Sequence, residues 1–178
     1  MTEPVIRTQR LDLYRPQTGD LDGLFRLTAN PDTRRHLGPT EPSKEDSFSR
    51  LLRNAGSWSL YGYGVFVIRL TGQQEILGTC GIFRSFRGFG KGMDDVPEGG
   101  WIIDAAHCGC GYAREAMEAA LAWFDTEHGS QRIACMIEED NAPSHKLAVN
   151  LGFVPYDRHE PEDGAAVLVL YQRIGNNP

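Results

Sequence analysis

The clearest periodic pattern in the chain lies between Tyr112 and His128, where apolar residues recur every three or four positions. Such spacing places them on one face of an α-helix. Gly129 follows directly and is a typical helix terminator. The sequence therefore predicts an amphipathic helix over 112–128. Its buried stripe comprises Ala113, Met117, Ala120, Leu121 and Phe124.

Three further helices are predicted from capping residues. Asp20 is a candidate cap for the first, which Asn30-Pro31 would stop. Ser43 and Asp46 resemble a capping box that opens the second. Asn141, with Pro143 close behind, opens the last. Apolar residues continue the second helix at helical spacing: Phe48, Leu51, Leu52 and Ala55.

Runs of alternating or continuous apolar residues between turn residues predict strands. We place them at residues 6–14, 64–70, 75–83, 98–104, 133–137, 153–156 and 166–173. The glycine-rich, aperiodic segment 84–97 is interpreted as a long loop. The element order is then β-α-α-β-β-β-α-β-α-β-β, which favours an α/β (α+β) fold with a mixed parallel and antiparallel sheet.

A glycine turn joins the strand that contains Trp101-Ile102-Ile103 to the 112–128 helix. It reads His107-Cys108-Gly109-Cys110-Gly111. The first turn of a helix carries unpaired N–H groups and a partial positive charge, which suit a phosphate. A dinucleotide fingerprint is excluded because Arg114 occupies its third glycine position, and the Gly-Lys-Ser/Thr of a P-loop is absent.

Composition narrows the class of protein. The 178 residues carry a formal net charge of −6, so we expect no nucleic acid as a partner. No run approaches the roughly 20 apolar residues of a membrane span, so we expect no membrane as a partner. The N-terminus shows no signal segment, so a cytoplasmic location is expected. The cysteines lack zinc-site spacing, and we expect no metal. They are Cys80, Cys108, Cys110 and Cys135.

The glycine turn resembles the acyl-CoA signature [Gln/Arg]-x-x-Gly-x-[Gly/Ala] of the GNAT acetyltransferases. Gly111 and Ala113 fill its last two places, whereas Cys108 departs from the Gln/Arg place. Other segments resemble the ribosomal-protein N-terminal (alanine/serine) acetyltransferase branch. They are Arg10 to Pro16, Gly111 to Ala116, Asn141-x-x-Ser144 and Leu151-Gly152-Phe153.

This resemblance implies a single GNAT domain over 1–178, with helices around a mostly antiparallel sheet. The strands at 98–104 and 133–137 would splay apart to admit the pantetheine arm. The implied activity is acetyl-CoA-dependent transfer to a primary amine, of a protein N-terminus or a small molecule, by a monomer or homodimer. A noncatalytic CoA-binding module on the same fold is the alternative. The acceptor would meet the regions 32–62 and 84–97.

The resemblance also implies residue roles. Ser144 would donate a hydrogen bond to the departing thiolate, Asn141 would orient the amine or pantetheine, and Glu98 would act as base; local capping is the alternative for Asn141 and Ser144. Rival acid–base groups are Asp104, Glu138, Glu139 and Tyr156. Covalent catalysis by Cys108 beside His107 is disfavoured, because adjacent residues rarely face each other. The candidate coenzyme-binding residues are Trp101, Ile102, Ile103, Cys108, Gly109, Cys110, Gly111, Tyr112, Ala113, Arg114, Asn141 and Lys146.

Overall fold

The computed structural model describes residues 3–162 and 164–175. Its helices are α1 (Leu21–Ala29), α2 (Lys44–Tyr61), α3 (Tyr112–His128) and α4 (Ala142–Asn150). Its strands are β1 (Ile6–Arg7), β2 (Leu11–Tyr14), β3 (Val65–Leu70), β4 (Gly78–Phe86), β5 (Asp94–Ile103), β6 (Ile133–Glu138), β7 (Val154–His159) and β8 (Leu168–Arg173). No helix among the described residues is both long and apolar enough to cross a membrane.

The described strands form one sheet in the order β1-β2-β3-β4-β5-β6-β8-β7. Neighbours pair antiparallel except β5 and β6, which run parallel. The parallel pair arises because α3 carries the chain from β5 back to the start of β6. The α/β fold with a mixed sheet, predicted from the element order, is confirmed, and so is the mostly antiparallel pairing that the resemblance implies.

The strongest local signals are confirmed at residue level. Helix α3 begins at Tyr112 and ends at His128, as its apolar period predicts. At the start of α2, the Ser43 hydroxyl accepts the N–H of Asp46, and the Asp46 carboxylate accepts the N–H of Ser43, each at 3.0 Å. Asn141 caps α4 with a single bond, in which its amide oxygen accepts the N–H of Ser144 at 3.2 Å.

Two predictions near the N-terminus are wrong. The strand predicted at 6–14 is broken, because the Thr8 hydroxyl accepts the N–H of Leu11 at 2.9 Å and turns the chain between β1 and β2. Asp20 occupies the N-cap position of α1, but its side chain does not make the capping hydrogen bond that the prediction implies. It lies in a short 3-10 turn, where its carboxylate accepts the N–H of Gln17 at 2.8 Å and contacts Arg69 at 2.5 Å.

The long loop predicted at 84–97 is also wrong, because both strands extend into it. Residues 84–86 pair with 94–97, and only 87–93 connect β4 to β5. The Asp94 carboxylate stabilises this connection by accepting the N–H groups of Gly88 and Gly90, at 2.6 and 2.8 Å. A register irregularity after Ser85 and a left-handed Asp95 (φ 52°) interrupt the alternation that reveals a strand.

Helices α3 and α4 cover one face of the sheet. The core on that face includes Phe66, Ile68, Cys80, Ile82, Met117, Phe124 and Ala148. Successive strand residues point to opposite faces, so Thr79, next to Cys80, faces the side covered by α1 and α2. The C-terminal part of α2 also packs into the core on the α3 and α4 side, where the Trp58 ring contacts the Phe66 ring. Of the apolar α2 residues noted above, Leu51 is buried, whereas Phe48 and Leu52 are 49% and 56% exposed.

Candidate active site

Strands β5 and β6 diverge at the centre of the sheet. Their pairing is confined to Glu98 opposite Ala134. Beyond that point β5 stays paired to β4, and β6 stays paired to β8. Residues 99–103 and 135–138 therefore face each other without ladder bonds in the described part of the chain. The gap widens toward the carboxyl ends of both strands, as predicted, and its edges offer backbone groups to an extended ligand.

The carboxyl end of β5 leads through the glycine turn into α3. Gly109 and Gly111 take φ values of 81° and 80°, in the left-handed region that glycine adopts without strain. Among the described residues, no acceptor lies within hydrogen-bond distance of the backbone N–H groups of residues 109–114. These groups and the positive end of the α3 dipole suit a phosphate. We call residues 109–114 the cradle.

A clamp from the N-terminal hairpin holds the cradle. Arg10 donates to the Glu115 carboxylate at 2.6 Å and to the carbonyl of Cys110 at 3.0 Å. Its guanidinium lies 4.5 Å from the centre of the Tyr112 ring. The Thr8 hydroxyl donates to Glu115 at 2.6 Å. Sequence reasoning noted Arg10 and Glu115 as motif residues but assigned them no role.

A tryptophan bridges the gap between the diverging strands and α4. Trp101 on β5 donates its indole N–H to the Ser144 hydroxyl at 3.2 Å, and the backbone N–H of Ser144 donates to the Asn141 amide oxygen at 3.2 Å. The Ser144 hydroxyl hydrogen has no acceptor among the described residues. Because Trp101 occupies a lone pair of the oxygen, this hydrogen remains available to a ligand in the gap.

Glu98 lies where β5 and β6 still pair, and it is only 3% exposed. Its two carboxylate oxygens accept hydrogen bonds from Arg87 at 2.8 and 2.5 Å. A carboxylate has about four lone-pair sites, so this bidentate contact leaves capacity for one more partner. Sequence reasoning missed Arg87, because it placed this residue inside a long loop.

The other candidate coenzyme residues surround the cradle or line the gap. Ile103 packs against the core, and Ile102 faces α1 and α2. Cys108 and Cys110 are exposed thiols. Arg114 pairs with Glu118 at 2.7 Å. Lys146 is exposed and has no ion-pair partner in the described ranges, which makes it the more available cation.

The rival acid–base groups are engaged elsewhere. Glu139 pairs with Arg158 at 2.6 Å, and Asp104 accepts the N–H of Ala106 at 2.9 Å. The Tyr156 hydroxyl donates to the carbonyl of Lys91 at 2.8 Å. Burial raises the pKa of Tyr156, and the neighbouring Arg132 opposes that rise.

Two other groups near the site could carry chemistry of their own. Burial and the negative charge of Asp104 raise the pKa of the Cys108 thiol, the reverse of what activates a nucleophilic cysteine. Ligand atoms of His36, Glu138 and Asp140 lie within 4.8 Å of one another, as a metal site would require. The contacts of the His36 Nδ1 atom with Glu138 (3.0 Å) and Asp140 (3.4 Å) account for this grouping without a metal.

Comparison with known proteins gives this geometry a family. Residues 10–154 match the acetyltransferase (GNAT) domain family. The chain is 26% identical over 147 residues to the uncharacterized N-acetyltransferase p20 of Bacillus licheniformis. That alignment covers 82% of this chain and 80% of the relative.

Solved structures agree. A putative GnaT-family acetyltransferase from Bordetella pertussis superposes with a TM-score of 0.84 and 32% identity, covering 94% of this chain and 98% of the other. A ribosomal L7/L12 α-N-protein acetyltransferase in complex with coenzyme A shares the fold, with a TM-score of 0.75, 16% identity and coverage of 97% and 98%. The family match extends over most of the chain and contains the splayed strands, the cradle and Ser144. The chain therefore belongs to the GNAT acetyltransferase family.

Proposed function

We propose that this protein transfers the acetyl group of acetyl-CoA to a primary amine, and that the acceptor is an α-amine or a similarly weak base. The observation that carries the proposal is the continuity of the cradle with the open edges of β5 and β6. Coenzyme A has a pyrophosphate and an extended pantetheine arm, in that order. The L7/L12 acetyltransferase of the same fold is solved with this coenzyme.

Binding would rest mainly on the backbone. The N–H groups of residues 109–114 would hold the pyrophosphate, as at other helix N-termini. Cys108 in the usual Gln/Arg place removes one side-chain contact and leaves these N–H groups unchanged. Of the two proposed phosphate cations, Arg114 pairs with Glu118, whereas Lys146 has no carboxylate partner among the described residues. Asn141 orients α4 by capping it, which fixes the position of Ser144 beside the gap.

Acetyl-CoA supplies an activated thioester, and this chain's residues would act on the transfer. A backbone N–H at Trp101 or Ile102 would stabilise the oxyanion that forms when the amine nitrogen attacks the carbonyl carbon. Ser144 would donate its hydroxyl hydrogen to the sulfur as the carbon–sulfur bond breaks. Glu98 would receive the amine proton through a water molecule. The products are an amide and free CoA.

The engaged state of Glu98 bears on the acceptor. An α-amine has a pKa of about 7.7–8.0, against about 10.4 for a lysine side chain. At pH 7 roughly one α-amine in ten is neutral, compared with about one lysine in a few thousand. Arg87 already donates to both carboxylate oxygens of Glu98, so an acceptor that is partly neutral, and needs little help from a base, suits this site better than lysine.

A thioester-turnover screen tests the proposal. Release of CoA from acetyl-CoA would be followed with peptides that begin with alanine or serine, a polyamine, an aminoglycoside, free amino acids and an acetylatable lysine peptide. We expect turnover with peptide N-termini or small weakly basic amines. CoA binding without turnover for any acceptor would identify a noncatalytic module. Turnover confined to lysine side chains would overturn the α-amine assignment.

A further inference from the structure

A narrow cleft lies on the face of the sheet opposite α3, between α1, α2 and the carboxyl half of β5. Its free volume is about 30 Å³, room for one or two water molecules, so it fits one small polar group rather than a whole substrate. Ile102 forms part of its floor, next to the backbone that faces the strand gap. The walls comprise Leu24, Leu27, Thr28, Ser47, Arg50, Leu51, Asn54, Thr79 and Ile102.

Three polar side chains in the cleft have no partner. Arg50 and Asn54 are four residues apart on α2 and therefore lie on one face of the helix. Thr79 lies on β4 and lines the same cleft. None of the three side chains has a hydrogen bond or ion pair within the described residues. The hydroxyls of Ser47 and Thr28 are bonded to backbone carbonyls at 3.1 Å. The open groups are thus the N–H donors of Arg50 and Asn54, the Asn54 amide oxygen and the Thr79 hydroxyl, with no carboxylate.

Arg50 makes no direct ion pair within the described residues: Asp46, four residues before it on α2, attracts it only at longer range, and Arg53 and Arg87 repel it. The Asp46 carboxylate is bound by Ser43 at the start of α2, and Glu98 is bound by Arg87. Although Arg50 as a whole is exposed, burial of its guanidinium lowers its pKa, and the positive charge of Arg53 lowers it further. A partly desolvated cation without a counter-ion attracts an anion more strongly than a fully solvated one.

Resting on the proposed acetyltransferase function, we infer that this cleft is an anion subsite for the acceptor, in which Arg50 binds a carboxylate of the molecule whose amine is acetylated. The acceptor class is an α-amine that carries a carboxylate close by. Arg50 and Asn54 would donate to the carboxylate oxygens, and the apolar walls would exclude water from the contact. The amine would then extend past Ile102 toward the strand gap.

Matched acceptors and one matched variant test this inference. Initial rates would be measured for alanine against alaninamide, and for peptides that begin with glutamate against glutamine. A carboxylate next to an amine makes the amine more basic and less often neutral, so a preference for the acid cannot come from the amine itself. We expect at least a tenfold higher kcat/KM for the acid in one pair. Preference in the second pair identifies an acidic N-terminus, whose α-amine is a weak base as proposed above. Preference in the first pair identifies a free amino acid; it supports the subsite but contradicts the weak-base assignment.

Arg50→Gln should remove that preference, mainly by raising the acceptor KM at least tenfold, and should leave the amide acceptors within twofold. Arg53→Gln removes the same charge from the same helix but does not line the cleft, so it should keep the preference. Equal rates for acid and amide in the wild-type protein, or equal losses for both in Arg50→Gln, would overturn the subsite alone. Absence of transfer to every acceptor would overturn the proposed function together with it.

Discussion

At the level of single residues, Ser144 is the residue that we propose acts on the leaving sulfur. The Trp101 indole N–H donates to the Ser144 hydroxyl oxygen, and the Ser144 backbone N–H donates to Asn141. Neither bond uses the hydroxyl hydrogen of Ser144. The capping role and the proposed catalytic role of Asn141 and Ser144 therefore use different atoms and are compatible. Asn141 uses its side chain for the cap, whereas Ser144 contributes only its backbone N–H to it.

We predict that Ser144→Ala lowers kcat at least tenfold, about 1.4 kcal/mol of activation free energy, and changes the KM for acetyl-CoA little. Charge develops on sulfur only as the bond breaks, so the lost hydrogen bond belongs to the transition state. Steady-state kinetics with a chemistry-limited acceptor measures this. Trp101→Phe keeps the Ser144 hydroxyl, so its kcat should fall less than that of Ser144→Ala. An unchanged kcat in Ser144→Ala would leave the residue a structural role only.

Glu98 is the second residue whose role can be tested directly. We predict that Glu98→Gln reduces kcat/KM severalfold or more near pH 6.5 and much less near pH 9. An α-amine is mostly protonated near pH 6.5 and mostly neutral near pH 9. A base that removes its proton therefore speeds the reaction mainly near pH 6.5. A pH–rate profile of both proteins measures the difference. A loss of equal size at all pH values would assign Glu98 to structure, through its buried contact with Arg87.

At the scale of elements, the turn before α3 depends on backbone conformation rather than on space. A Cβ on Gly111 would meet only the Arg10 guanidinium, at an ordinary 3.5 Å, yet φ is 80°. We predict that Gly111→Val weakens CoA binding more than tenfold, about 1.4 kcal/mol, because a β-branched residue rejects this conformation and shifts the cradle N–H groups. Calorimetry measures the affinity.

Gly72→Val is the matched control for this substitution. Gly72 has a φ of 77° with open space around it, in the turn between β3 and β4. It should suffer the same backbone strain and therefore a comparable loss of stability, with CoA affinity unchanged. Equal CoA affinity in the wild-type protein and a folded Gly111→Val variant would remove the cradle from the binding site.

The clamp couples the N-terminal hairpin to α3 through ionised Glu115. Burial raises the pKa of Glu115, but hydrogen bonds from Thr8 and Arg10 outweigh it, and the net shift is downward. A carboxyl whose pKa is lower in the folded state stabilises the fold above its unfolded pKa, about 4.3. That contribution is lost as the pH falls through the lower, folded pKa.

We predict that Glu115→Gln destabilises the protein by about 1–2 kcal/mol at pH 7, and that the difference from wild type shrinks below about pH 4. Urea unfolding at a series of pH values measures both. Glu118→Gln removes an exposed carboxylate that pairs with Arg114 on the same helix, and it should cost much less. A pH-independent difference for Glu115→Gln would mean that its charge contributes nothing to the clamp.

At the scale of the whole molecule, the proposed coenzyme site joins parts that the sheet leaves separate. The β1–β5 part meets the β6–β8 part at a single paired position, while α3 and α4 cover both from one side. A ligand along the open edges of β5 and β6 would add contacts between the two parts. Binding should therefore stabilise the whole fold and not only the residues it touches.

We predict that CoA at a hundred times its dissociation constant stabilises the protein by about 2.7 kcal/mol. For a chain of this size that corresponds to roughly 5–10 °C in Tm. Differential scanning fluorimetry measures the shift, and hydrogen exchange should show added protection at residues 99–103 and 135–138. Gly111→Val should reduce the shift at the same CoA concentration. No shift with wild type at saturating CoA would contradict the proposed site.

Features that depend on only a few neighbouring residues could be predicted from the sequence alone. The apolar period of α3, the Ser43–Asp46 capping box and the glycines of the cradle act within one or two helical turns, so their structure follows from local conformational preference. The order of elements followed from the same signals. The resemblance to GNAT proteins rested on these local motifs as well, which is why the family could be expected from the sequence.

Contacts between residues far apart in the sequence could not be predicted from it, because they depend on how the elements pack. Arg10 reaches Glu115 across 105 positions, and Arg87 reaches Glu98 only because β4 and β5 pair far beyond their apolar segments. A cross-strand pair depends on sheet register, and a lone arginine gives no sign of its partner in the sequence. The same holds for Arg50, whose place in the wall of the cleft becomes visible only when α2 lies over the sheet. Local preference fixes the elements, and packing decides which of their charges are compensated.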